Sequence, residues 1–213
     1  MISRFRVYFG GSYFPPHRGH DEMLVSLLKN PDVAYVHLVP TFQNPLKDAT
    51  FLSKPTAVLK RELIEAWKSS LEARAVEGLA KLRVEWREID LGHVSYTVDT
   101  LAELLRESVG SGENWALCIG DDSLPDLGRW KEVDRLLRIV KEVWVFRRGP
   151  RTDGSFMTEV PDDLRKLTRW RLLVPEIHDV SSTEIRKLLE GRHAPATQER
   201  LKALLCPEVL NVL

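Results

Sequence analysis

Apolar positions along the chain follow two alternating rhythms. Short, almost wholly apolar runs bounded by turn residues read as strands: RVYFG (6–10), VAYVHLVP (33–40), WALCIG (115–120) and EVWVFRR (142–148). Between them lie stretches with helical spacing. The stretch from Gly19 to Lys29 carries Met23, Leu24, Leu27 and Leu28 on one face, and Thr56 to Ala75 carries Leu59, Leu63, Ile64 and Trp67. The same pattern predicts helices over TVDTLAELLRES (97–108), 129–138, Ser182–Glu190 and Thr197–Leu205. It predicts two more strands over LRVEWREI (82–89) and RLLV (171–174). Residues 41–55 mix Pro, Asn, Lys and Ser without a period and read as a loop.

Strands alternating with helices imply an α/β fold, a Rossmann-like, doubly wound and mainly parallel sheet with helices on both faces. The nearly all-apolar WALCIG fits a strand covered on both sides. No internal repeat or low-complexity segment divides the 213 residues, so they are expected to form a single domain. In such sheets ligands bind beyond the carboxyl ends of the strands, where the strand order switches, which directs attention to the loops after strands.

Composition changes this picture little. The chain is 43% hydrophobic and 29% charged, with 31 basic and 31 acidic residues. A zero net charge argues against broad nucleic-acid binding, though not against a local cationic pocket. Cys118 and Cys206 have neither metal spacing nor a disulfide framework around them and read as core or near-core thiols. MISRFRVYFGG passes into a strand too early for a signal peptide, and no window is long and apolar enough to span a membrane, so a cytoplasmic location is expected.

The loop after the first strand, GGSYFPPHRGH (10–20), concentrates candidate chemistry. Gly10 and Gly11 permit a sharp turn and close approach to a ligand. His17 and His20, three apart at a helix start, face one side beside free N–H groups and a positive dipole end, an arrangement suited to an anion. The loop has neither a dinucleotide fingerprint nor a P-loop, and the histidines taken alone fit a phosphate, a metal lacking its third ligand, or a structural role. Near the other end, VSSTEIRKLLEG (180–191) opens a helix with Ser181 and Glu184 as a capping box. Arg186 emerges one turn in, with Ser182 and Thr183 adding hydroxyls and N–H groups.

Together, GGSYFPPHRGH and SSTEIR resemble the signatures of the nucleotidyltransferase superfamily of adenylyl- and cytidylyltransferases. SYTVDTL (95–101), GDDSLPDLGRW (120–130) and FRRG (146–149) are similar to the internal motifs of its nicotinate- and nicotinamide-nucleotide adenylyltransferases. That resemblance implies transfer of AMP from ATP to nicotinate mononucleotide, or its amide, with release of pyrophosphate. Gly10, Gly11 and Ser12 would wrap the nucleotide, while His17 and His20 would hold the α-phosphate and stabilise its transition state. Ser182, Thr183 and Arg186 would grip the β- and γ-phosphates. The C-terminal helices 182–206 would thereby form part of the ATP site.

The resemblance also implies that Asp122 contacts adenosine or ribose hydroxyls and that Arg147 lies on the adenine side. Tyr96 and Thr97 would present N–H groups to the pyridine substituent, Trp130 would stack on the ring, and Asn44 with Lys47 would meet the mononucleotide phosphate. Several of these have ordinary structural alternatives. Trp130 suits a core, Thr97 and Asp122 suit helix caps, Arg147 suits a solvated strand end, and Lys47 suits surface charge. The implied partners are ATP and the mononucleotide, without nucleic acid or membrane and with room for a homo-oligomer. Mg²⁺ would arrive with ATP, with no metal ligand from protein side chains.

Three positions depart from the family pattern: Phe14 where Asp is frequent, Asp121 where a small residue is usual, and Leu46 in NPLK (44–47) where a histidine is usual. The rival readings are phosphopantetheine adenylyltransferase, a class I tRNA synthetase and a non-catalytic nucleotide sensor. SYTVDTL and GDDSL…W argue against the first, and the missing late Lys-rich signature against the second. Intact His17, His20 and Arg186 argue against the third.

Overall fold

A computed structural model describes residues 4–43, 45, 56–147, 157–158, 160–174 and 180–213. Its strands are β1 (Phe5–Gly11), β2 (Val33–Pro40), β3 (Leu82–Val84), β4 (Asn114–Gly120), β5 (Glu142–Phe146) and β6 (Arg169–Leu173). They form one sheet in the order β3-β2-β1-β4-β5-β6, with every neighbouring pair parallel. The chain thus builds outward from β1 to one edge, then returns to β4 and builds to the other. β1 and β4 pair from Phe5↔Asn114 only as far as Phe9↔Cys118, whereas β1 and β2 stay paired to Gly11↔Pro40. The sheet therefore parts between β1 and β4 at their carboxyl ends.

Each face of the sheet carries its own apolar core. On one side Leu24 and Leu27 of α1 (Arg18–Lys29), Leu63, Ile64 and Trp67 of α2 (Ala57–Ala73), and Val209 of α9 (Pro207–Val212) pack with Phe9, Val36 and Trp144. Ile185 of α7 (Ser182–Glu190) and Leu201 of α8 (Pro195–Leu204) join them. On the other side Val98, Leu101 and Leu104 of α4 (Thr97–Glu107) meet Leu136 and Leu137 of α5 (Val133–Ile139), Leu164 of α6 (Asp162–Arg165) and Leu117. Helices on both faces are what the fully apolar central strands require.

Several boundaries differ from the sequence expectation for physical reasons. The strand expected over 82–89 stops at Val84, where its pairing with β2 ends at Leu38, and residues Arg87–Leu91 instead form the short helix α3. Its alternating Leu82, Val84 and Trp86 mimic a strand, but Glu88 and Ile89 are both buried, which no two-residue alternation accommodates. The expected helix 129–138 begins only at Val133, after a 3₁₀ turn at Leu127–Arg129. The last strand starts at Arg169 rather than 171, and α8 starts on Pro195, a residue suited to a first helical position. α6 and α9 were not anticipated, because each is too short to show a period.

α2 holds an unusual lysine. Thr56 caps the helix by accepting from Leu59 N at 3.1 Å, and Lys60 lies on its buried face at 3% exposure. The Lys60 ammonium donates to the Thr41 carbonyl just beyond β2, tying the helix to the sheet's carboxyl edge. Burial lowers its pKa from 10.5 to about 8, against an upward pull from Glu88. Below that value folded and unfolded chains both carry the proton. Between it and 10.5 only the unfolded chain does, so stability rises with pH through this window. The rise attributable to Lys60 amounts to up to about 3 kcal/mol. Urea titrations from about pH 7 to about pH 10 should show that wild type gains stability relative to Lys60→Met as pH rises; parallel curves would place Lys60 in solvent.

Candidate active site

The parting of β1 from β4 opens into a cleft of about 630 Å³. Its floor is the end of β1. Gly10 is required there, since a Cβ would stand 2.5 Å from the Tyr8 ring; at Gly11 it would stand 2.8 Å from the ring of Tyr13. Tyr13 holds a left-handed φ of 44°, is fully buried, and donates its hydroxyl to the Phe9 carbonyl at 2.9 Å. This anchor aims the rest of the loop at the start of α1.

His17 is the N-cap of α1 in extended conformation, and its ring lines the cleft. The rings of His17 and His20 stack with centroids 3.7 Å apart at 25°, so the three-residue spacing does place both imidazoles on one side. Tyr13 meets His20 edge-on at 5.0 Å, and Trp67 stands behind both rings at 5.6 Å from Tyr13 and 6.4 Å from His20. Trp67 is itself held by its Nε1, which donates to Asp21 at 2.8 Å, and Asp21 also receives two bonds from Arg74 at 2.7 and 2.9 Å. The first turn of α1 is therefore braced from behind by an ion pair and an aromatic wall.

α7 docks its N-terminus on the same loop from the far end of the chain. Ser181 caps it by accepting from Glu184 N at 3.1 Å, the hydroxyl half of the expected capping box, while the Glu184 carboxylate pairs with Arg200 of α8. Arg186 donates to the Phe14 carbonyl and to the Thr183 hydroxyl, both at 2.9 Å, and Ser182 donates to the Pro15 carbonyl at 3.4 Å. Partial burial lowers the Arg186 pKa, yet a guanidinium stays charged at any physiological pH. Two helix N-termini, two imidazoles and a guanidinium thus face one volume, which Ser12, Ser182 and Thr183 also line. Such a set attracts and hydrogen-bonds a polyphosphate.

The opposite wall comes from the second core. Ser95, Tyr96, Thr97 and Val98 at the start of α4 line it, and Tyr96, not Thr97, is the N-cap residue, without a side-chain cap bond. The Asp99 N–H already donates to the Tyr96 carbonyl at 3.0 Å, and the Thr97 and Val98 N–H groups precede the helix's own ladder at this wall. Trp130 is half-buried and serves twice, packing on the second core and lining the cleft. Asp122 is exposed at the rim, in the 3₁₀ turn after β4. Arg147 is buried at the end of β5, its N–H bonded to Leu173 O at 3.2 Å, and is not among the residues lining the cleft. It ends the strand next to β4, one strand away from the parting. Asn44 and Lys47 lie outside the described residues.

Sequence reasoning overlooked the two cations flanking Trp130. Arg129 and Lys131 both line the cleft; Lys131 bonds Asp99 at 2.9 Å and its ammonium lies 4.6 Å from the Tyr96 ring centre. Their signal, a cation on each side of an aromatic in GRWKE, is visible only once Trp130 has been assigned to the site. Among the described residues no three His, Cys, Asp or Glu side chains converge as metal ligands, and no helix is long and apolar enough to cross a membrane.

Comparison with known proteins agrees with this geometry. The cytidylyltransferase-like family matches residues 8–188. A probable nicotinate-nucleotide adenylyltransferase of Leptospira interrogans is 32% identical over 182 residues, covering 84% of this chain and 82% of its own. One of Aquifex aeolicus is 32% identical over 180 residues, covering 84% of this chain and 99% of its own. In fold, the chain is similar to the Plasmodium falciparum nicotinic acid mononucleotide adenylyltransferase solved with NaAD, at a TM-score of 0.73 and 16% identity over 98% of this chain and 94% of that one. The chain belongs to the cytidylyltransferase-like nucleotidyltransferases, in the group of the nicotinate-nucleotide adenylyltransferases.

Proposed function

We propose that the protein transfers AMP from magnesium-bound ATP to nicotinate mononucleotide, forming the dinucleotide used in NAD synthesis and releasing pyrophosphate. The observation that carries this reading is the meeting of the α1 and α7 N-termini, with His17, His20 and Arg186, across the cleft from Tyr96, Thr97 and Trp130. One wall suits a triphosphate and the other a flat, anionic ring.

The attacking group is an oxygen of the mononucleotide phosphate, already ionised at neutral pH. It forms a bond to the α-phosphorus of ATP while the bond to the β-phosphate oxygen breaks, and pyrophosphate leaves with the electron pair. No general base is required, so the protein's contribution is alignment and neutralisation of charge. His17 and His20 are suited to donate to the α-phosphate oxygens as charge develops there. Arg186, Ser182 and Thr183 are suited to the departing phosphates. Asp122 at the rim is placed to accept from ribose hydroxyls. The Thr97 and Val98 N–H groups face the pyridine substituent, with Trp130 as the stacking surface. Arg129 and Lys131 line the cleft beside Trp130, each already paired with a carboxylate, Asp126 at 2.8 Å and Asp99 at 2.9 Å. Magnesium is carried on ATP phosphates, keeping most of its waters, so the carboxylates at the rim need not form a cage.

The decisive experiment measures pyrophosphate release with magnesium and ATP, comparing nicotinate mononucleotide with nicotinamide mononucleotide. Turnover with the acid and a higher kcat/KM for it than for the amide is expected; ATP binding without turnover on either would remove the assignment. His20→Ala should lower kcat by about 10²–10³, the usual effect of removing one donor to developing charge, and an unchanged kcat would take His20 out of the site. Trp130→Ala should raise KM for the mononucleotide more than for ATP. Equal increases would leave Trp130 with its core role alone.

A further inference from the structure

Among the described residues outside the reaction just set out, the most deeply buried carboxylate is Glu88 of α3, at 1% exposure. It accepts bonds from three hydroxyls. Tyr8 of β1 donates to its Oε1 at 3.1 Å, Thr100 of α4 donates to the same oxygen at 2.7 Å, and Ser95 donates to Oε2 at 2.6 Å. All three donors are themselves buried, and Lys60 lies near enough for its charge to be felt. A buried carboxylate is costly unless hydrogen-bonded, and short charge-assisted bonds are the stiffest kind available to side chains. An apolar residue would fill this space at no such cost, so the charge calls for a reason.

The reason lies in what the donors carry. Ser95 immediately precedes Tyr96 and Thr97, and Thr100 sits one turn into α4, so Glu88 holds that helix's entry from both sides of its N-cap. Tyr8 stands two residues before Gly10, and its ring is the surface against which Gly10 packs. One carboxylate therefore locks the nucleotide floor at the end of β1 to the opposite wall at the start of α4, across the parting of the sheet. We propose that Glu88 is a positioning residue for the second substrate: it fixes the Tyr96–Val98 N–H groups at the spacing from the β1 glycines that the mononucleotide requires. This rests on the reading of the cleft given above. Releasing Ser95 frees only the α4 side of this lock and should spare ATP binding, whereas changing Glu88 also frees Tyr8 beneath the Gly10 floor.

Glu88→Gln keeps the size and replaces the charge, and Ser95→Ala keeps the charge and releases one anchor. Both should raise KM for nicotinate mononucleotide about tenfold, the size of one lost hydrogen bond to a charged acceptor, and in Ser95→Ala KM for ATP should be little changed. In the free protein, amide exchange in peptides covering 93–101 should quicken by about the same factor in both variants, while exchange in β2, α1 and α2 stays as in wild type. Equal rises in both KM values in Ser95→Ala, no rise in the mononucleotide KM of either variant, or exchange that quickens everywhere would overturn the proposal. Should Glu88→Gln not fold, Ser95→Ala alone decides between these outcomes. If wild type turns over neither mononucleotide, the proposed reaction falls, and the exchange comparison still decides whether Glu88 holds the entry of α4.

Discussion

Everything at the site depends on β1 having parallel partners on both sides and losing one of them first. Strand β4 stops pairing with β1 at Phe9, while β2 follows it to Gly11. A parallel sheet that parts at its carboxyl edge must leave backbone groups of two glycines facing a gap, with helices diverging above it. A side chain at Gly10 would collide with Tyr8, so the gap is also the one place where the backbone itself can form the floor. The rest of the molecule supplies walls to this gap.

The two walls follow different physical logics. The phosphate wall gathers partial and full positive charge from the N-termini of α1 and α7, far apart in the chain and joined by Arg186 and Ser182 on the Phe14 and Pro15 carbonyls. This joint makes no use of the side chain at position 14, one of the departures from the family pattern. What Arg186 uses there is the carbonyl, common to every residue, while the Phe14 side chain packs on the first core. The opposite wall is held by hydroxyls converging on a buried carboxylate, with cations only at its rim. A protein of zero net charge can bind a highly anionic substrate pair because its charges are sorted by depth and side.

What the sequence made legible follows from how locally each feature is encoded. The apolar rhythms located most strands and the main helices, because burial on one or both faces leaves a period in a single segment. The His17–His20 side and the Ser181 cap were readable for the same reason, each needing only three residues of spacing. Glu88 was not readable, since its partners lie 80, 7 and 12 residues away and its own segment alternates like a strand. Lys60 did leave a trace: it occupies the apolar face with Leu63, Ile64 and Trp67, where a lysine requires a partner. How far Arg147 stands from the parting was not readable either, because strand order is encoded by no single segment.

These differences in encoding bear on how such a site can change. The phosphate wall rests on short local motifs, and its chemistry, attraction between dipoles and a polyphosphate, is indifferent to what the second substrate is. The other wall depends on contacts between distant segments, each adjustable alone: the N-cap at Tyr96, the cations around Trp130, the carboxylate behind Ser95. A shift of half an ångström there would alter ring and carboxylate recognition while leaving the triphosphate cradle intact. Selectivity for the acceptor is thus physically separable from the ability to activate ATP. The buried Glu88 network meets the acceptor wall through Ser95 and Thr100 and the glycine floor through Tyr8, so its Ser95 arm is where the acceptor wall can be altered by itself.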